Sequence, residues 1–128
     1  MRTLFNQYSV GIDKEGALRL SCGFGGGMGR KGEVCGAVTG GIIIIGAKHG
    51  KDSQGDEENI DVTYSKTREL MDFVAEKHGT YFCRKLIKDC DLTTEEGQNR
   101  FKELDLKNKV CKQCISDVIG KIEDIIEI

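Results

Sequence analysis

Six cysteines stand at positions 22, 35, 83, 90, 111 and 114 of a 128-residue chain. Two of them, Cys111-Lys112-Gln113-Cys114, form a C-x-x-C. On a helix, side chains three residues apart lie on nearly the same face, here also the apolar one. Thiols in a first helical turn feel the positive end of the macrodipole, and Lys109 and Lys112 add to it, so a lowered thiol pKa is expected for Cys111 and Cys114. The plain alternative is two small hydrophobes in a core stripe. Cys35 follows the glycine-rich stretch Gly23-Phe24-Gly25-Gly26-Gly27-Met28-Gly29-Arg30. Glycines let successive backbone N–H groups turn toward one point, which suits anionic sulfur or phosphate. Gly36, Gly40 and Gly41 then clear one side of the following helix, so that another helix or a cofactor can approach. Packing by small residues explains the same glycines equally well.

Other chemistries fit less well. A dinucleotide G-x-G-x-x-G begun at Gly23 meets Met28 where glycine is needed, and begun at Gly25 it meets Arg30. A phosphate loop ending at Gly32 needs lysine next and finds Glu33. Cys83 and Cys90 are separated by six residues, which is no standard zinc knuckle, although they could complement the C-x-x-C in a four-cysteine zinc site. Cys90 lies between Asp89 and Asp91, whose charges oppose a thiolate. His49 and His78 each precede a glycine and read as cations at helix C-termini. No Ser/His/Asp set presents itself.

The elements that must position these thiols are helical. Proline is absent, which favours uninterrupted helices. Residues 12–22 suggest a short helix capped by Asp13, and residues 23–32, with six of the chain's 17 glycines, a loop. From Glu33 to Lys48 four consecutive isoleucines favour a strand by propensity. The length and the Gly36/Gly40 spacing favour a buried helix, which is the reading adopted, with Gly50 as its left-handed terminator. Residues 51–59 read as an acidic loop and 60–78 as an amphipathic helix ending at Gly79. A short helix is expected over 80–88, and a helix from Thr93 or Thr94 to about Leu104, with Glu96 completing a capping box from Thr93. Val110, Cys111, Cys114, Ile115, Val118, Ile119, Ile122, Ile125 and Ile126 recur at three- and four-residue steps and mark the clearest helix. The expected fold is all-α: one domain over residues 1–128, a compact bundle of five to six helices with the glycine loop before a central buried helix.

Charged residues make up 31% and the net charge is −2, which gives no electrostatic reason to expect nucleic acid or an anionic membrane surface. The longest apolar run, Ile42 to Ile45, is far short of the roughly 20 residues that span a bilayer, so no membrane insertion is expected. The start, Met1 to Phe5, lacks a secretory pattern, and a cytoplasmic location is expected. In a reducing compartment clustered cysteines point to metal or redox chemistry.

The block Gly23 to Gly29 followed by Gly32-Glu33-Val34-Cys35-Gly36-Ala37-Val38-Thr39-Gly40 resembles the signature of the redox-active C-GCAxxG-C-C proteins. Cys83-Arg84-Lys85-Leu86 resembles the family's third cysteine, and Cys111 its last. The family's first cysteine lies in a helix before the region that here starts near Leu4. Cys22 and Cys114 are the candidates to replace it, Cys114 being better placed beside Cys111. The resemblance implies a small, largely helical redox-active protein with an iron–sulfur or other metal centre. Together these readings make Cys35, Cys83, Cys111 and Cys114 the expected thiolate and metal-binding set. Gly25, Gly26, Gly27, Gly36 and Gly40 are the expected cofactor cradle. Electron transfer or thiol–disulfide exchange follows, with an iron–sulfur cluster or zinc as cofactor. The redox partner is unspecified and a homo-oligomer remains open. The rival reading is a non-catalytic helical module with structural zinc or merely packed cysteines, and the sequence does not decide whether the protein is an enzyme.

Overall fold

The computed structural model describes residues 13–51 and 53–126. Among these residues the secondary structure is all helical: α1 (Lys14–Ser21), α2 (Gly36–His49), α3 (Glu57–His78), α4 (Cys83–Leu86), α5 (Glu95–Glu103) and α6 (Lys112–Ile125). A 3-10 turn (Cys22–Phe24) extends α1, and a π turn (Lys107–Cys111) leads into α6. Ile12, expected to open the first helix, lies outside the described residues. No helix among the described residues is long and apolar enough to cross a membrane.

Three long helices, α2, α3 and α6, pack on one another in pairs. Their shared core holds Val38, Ile44 and Ile45 from α2, Leu70 and Val74 from α3, and Cys114, Val118 and Ile122 from α6. The isoleucine run is therefore helical despite its strand propensity, because α2 is buried by two neighbours and packing outweighs intrinsic preference. Gly41 faces both neighbours. A Cβ there would lie 2.7 Å from Leu70 Cδ2, 3.2 Å from Val118 Cγ1 and 3.3 Å from Ile122 Cδ1. Gly46, on the same helix, faces open space. Gly41→Val is thus expected to lower stability by about 1–3 kcal/mol through overpacking. Gly46→Ala should raise it by roughly 0.5–1 kcal/mol through helix propensity. Urea midpoints that move the same way for both would show that Gly41 has no packing role.

Several boundaries differ from expectation, each for a local reason. α2 begins at Gly36 rather than Glu33, because Glu33 and Val34 are drawn into extended pairing with the segment before α4. The Glu33 carbonyl accepts from Cys83 N–H at 2.6 Å, and Val34 forms an isolated bridge with Phe82. Gly50 ends α2 at φ −64°, extended rather than left-handed, whereas Gly79 ends α3 at φ 83° as expected. α3 starts three residues early because Asp56 and Asn59 form a reciprocal capping box. Thr94 caps α5 by accepting from Gly97 N–H, while Thr93 bonds to Asp91 instead of pairing with Glu96.

The glycine loop is a left-handed turn. Gly26, Gly27, Met28, Gly29 and Arg30 all have φ between 60° and 70°. L-residues disfavour that conformation by roughly 1–2 kcal/mol each, so the three glycines make the run feasible. Its backbone bonds run inward: Met28 N–H to Phe24 O, Gly29 N–H to Gly23 O and Arg30 N–H to Gly25 O.

Candidate functional site

A second, smaller core gathers Cys83, Ile87, Cys90 and Leu106, with Leu92, Phe101, Val110 and Cys111 packed against it. Between it and the main core lies a cavity of about 830 Å³. The left-handed turn forms one wall, and Ile87, Leu92, Phe101 and Ile115 form the apolar part of the rest. Cys35, Cys83, Cys111 and Cys22 all line it. Three of the four expected thiols therefore meet, although their positions span 76 residues of sequence (35 to 111). Gly25, Gly26, Gly27 and Gly36 also line the cavity, whereas Gly40 is buried in α2 away from it. Cys90 is buried in the smaller core.

Cys114 sits behind the cavity. It is fully buried, and its Sγ lies 3.8 Å from Cys35 Sγ. Cys35 occupies the N-cap position of α2. The Cys114 thiol donates to it, and this hydrogen bond is the largest influence holding the Cys35 thiol down at about 6. Burial opposes the shift, while the backbone N–H groups of Ala37 and Val38 and the charge of His78 favour it. With Cys35 lowered and Cys114 raised, Cys35 is the member of the pair that gives up its proton first. Cys114 is pushed far up, first by that same bond and then by burial. Burial pushes Cys83 up to about 11, with negative charge on Cys35 and Cys111 adding to the effect. Burial and the Cys35 charge push Cys111 up as well.

The lowered pKa thus falls on Cys35, not on the C-x-x-C. Burial and the neighbouring Cys35 decide this, and the expected helix-start contribution is missing. Cys111 does not open a helix, since the Lys112 N–H is already bonded to Lys107 O and no free dipole end faces the thiols. Cys111 and Cys114 also part company, one toward the cavity and the other into the main core. Part of the expected backbone anion nest is committed within the loop itself. The N–H groups of residues 28–30, 32 and 33 are taken by carbonyls 23–27 of the same loop, save that Lys31 bonds to Met28.

Two residues near the thiols carry no sequence signal of their role. Asp117, one turn beyond Cys114, accepts from His78 Nε2 at 2.8 Å, from Lys77 Nζ at 3.1 Å and from Gln113 Nε2 at 2.9 Å. These donors hold its carboxyl below the usual range against the opposing effect of burial. His78 is therefore tied to α6 rather than serving only as a cation at the end of α3. Only the spatial pairing, invisible in the sequence, reveals this.

The family model described as "Putative redox-active protein (C_GCAxxG_C_C)" matches residues 1–125. The chain belongs to this family. No curated protein and no solved structure matches it. Within the family's redox-active description, the glycine–cysteine block is the left-handed turn and the head of α2, and the later cysteines are those of α4 and of the π turn.

Among the described residues no three Cys, His, Asp or Glu side chains stand close enough to share one ion. Cys114, the expected fourth ligand, is turned toward Cys35 and outside the cavity. A tetrahedral zinc site does not fit this arrangement.

Proposed function

We propose that this chain is a thiol–disulfide redox protein in which Cys35 is the nucleophile and Cys114 the resolving thiol. The observation that carries the reading is the 3.8 Å contact between the cavity-lining Cys35 sulfur and the buried Cys114 sulfur. The thiolate is the attacking species, and one with a pKa near ambient pH attacks fastest. Cys35 S⁻ attacks one sulfur of a disulfide RSSR, forming Cys35–S–S–R and expelling RS⁻. Cys114, giving up its proton, then attacks the Cys35 sulfur, forming the Cys35–Cys114 bond and expelling the second RS⁻. The balance is RSSR plus protein dithiol to protein disulfide plus two RSH. The partners need only close from 3.8 Å to the roughly 2.05 Å of a disulfide.

Mild oxidation with diamide, alkylation of the remaining thiols and peptide mass mapping test this. The expected product is a Cys35–Cys114 crosslink lacking two hydrogens. A crosslink dominated by any other pair, or a Cys35 that alkylates no faster than Cys22, would overturn it.

A second reading rests on a different observation, the four thiols Cys22, Cys35, Cys83 and Cys111 around one cavity. An iron–sulfur cluster spreads its thiolates over separate irons, so it does not require three sulfurs within reach of one ion. Anaerobic purification followed by iron and sulfide analysis decides this reading. A colourless, iron-free protein after anaerobic reconstitution would remove it.

A further inference from the structure

Cations outnumber anions around the cavity. Among the described residues that line it, Arg30 and Lys107 are the cations, the Cys35 thiolate is the one anion, and no carboxylate is present. The two cations come from different elements. Arg30 closes the left-handed turn, and Lys107 opens the π turn. Cys35, Cys83 and Cys111 lie among the same walls. The remainder is glycine backbone and apolar side chain. The volume of about 830 Å³ falls in the range of small-molecule sites. Cys114 is fully buried behind Cys35, so of this pair a molecule in the cavity meets Cys35 and not Cys114.

We propose that the substrate of the Cys35–Cys114 dithiol is a small anionic disulfide, one bearing carboxylates near its S–S bond, held in this cavity between Arg30 and Lys107. The inference rests on the dithiol reading above and specifies its substrate class. The carboxylates are drawn to the two cations, the S–S bond lies over the apolar floor, and Cys35 attacks as already balanced. Fields of one sign focused in a cleft raise encounter rates by about 10- to 1,000-fold. Apolar walls sharpen the effect by excluding screening water.

The test uses three disulfides of different charge: glutathione disulfide (anionic), bis(2-hydroxyethyl) disulfide (neutral) and cystamine (cationic). The rate of Cys35 consumption by each is divided by that disulfide's rate with free mercaptoethanol, which removes intrinsic reactivity. The expected order is anionic, neutral, cationic, with about tenfold or more between the ends at low salt and less at high salt. In the double variant Arg30→Gln/Lys107→Gln the anionic-to-cationic ratio falls toward one. Arg30→Glu/Lys107→Glu inverts it, with circular dichroism reporting that the helices persist. Equal normalised rates in the unaltered protein, or a cationic preference, overturn the substrate class while leaving the dithiol intact. A Cys35 inert to all three disulfides overturns the dithiol reading itself, and the substrate class with it.

Discussion

Replacing Cys114 with alanine is expected to raise the pKa of Cys35 and slow its alkylation at pH 6 by about fivefold or more, since a rise of one unit from about 6 takes the thiolate fraction at pH 6 from about one half to about one in eleven, and each further unit lowers it about tenfold. The thiolate sits at about 6 chiefly because the Cys114 S–H donates to it across 3.8 Å. Alanine removes that donor and leaves Ala37 N–H, Val38 N–H and the His78 charge, which hold only part of the shift. Burial, no longer outweighed, then pushes the thiol upward. The sign is specific. Cys35 is a lowered acid, so its charged form is present above about pH 6; the absolute loss is largest between that pH and the raised pKa of the variant, and the fold loss is greatest below it. By pH 10 the variant and the parent should alkylate at similar rates. Cys114→Ser restores a donor and should recover part of the rate. Iodoacetamide labelling across pH, read at Cys35 by mass spectrometry, provides the profile. Superimposable profiles for parent and Cys114→Ala would show that the contact does not activate Cys35.

Gly27→Ala should be among the most damaging single-methyl changes in the chain. Gly27 sits at φ +70°, and a Cβ there would lie 2.6 Å from Cys83 Cβ and 2.7 Å from Glu33 N. Neither contact is the far end of a flexible side chain, so relief requires backbone movement. The left-handed conformation disfavours alanine by roughly 1–2 kcal/mol. Overpacking adds about 1–3 kcal/mol more. Gly29→Ala is the matched control, since Gly29 has φ +60° and nothing within 4 Å of a Cβ. It should lose only the conformational part. Urea unfolding of both variants separates the two effects. Equal losses would mean that the turn does not press on α4. In Gly27→Ala the shift of Cys83 should also alter the cavity, seen as a changed alkylation rate at Cys83 relative to Cys35.

The apolar stripe of α6 was legible because Val118, Ile122 and Ile125 repeat at helical steps and all point into one core. The buried character of α2 was legible from the isoleucines and glycines. The glycine identified there as making room, however, was Gly40 along with Gly41. The close contacts given for a Cβ at Gly41 depend on where Leu70 and Val118 end up, which no local pattern encodes. The joining of Cys35, Cys83 and Cys111 followed from a family signature, not from spacing. Which thiol is activated was not legible at all. The dipole argument for the C-x-x-C assumed a helix start at Cys111, and a π turn differs from a helix start only in its hydrogen bonds. The Asp117–His78 link and the Arg30/Lys107 pair were illegible for the same reason: each joins segments far apart in sequence.

Met28 and Arg30 are the two side-chain-bearing residues in the left-handed run of five. Each is held in a conformation that glycine would adopt freely, so stability and recognition pull apart at this loop. Selection for thermal stability alone would favour glycine at both places. The two positions are not equivalent under such selection. Met28 could be surrendered with little change to the charge of the cavity. Arg30 could not, because its replacement would leave Lys107 as the single cation facing whatever enters. The loop is therefore a place where a more stable descendant of this protein would be a less discriminating one.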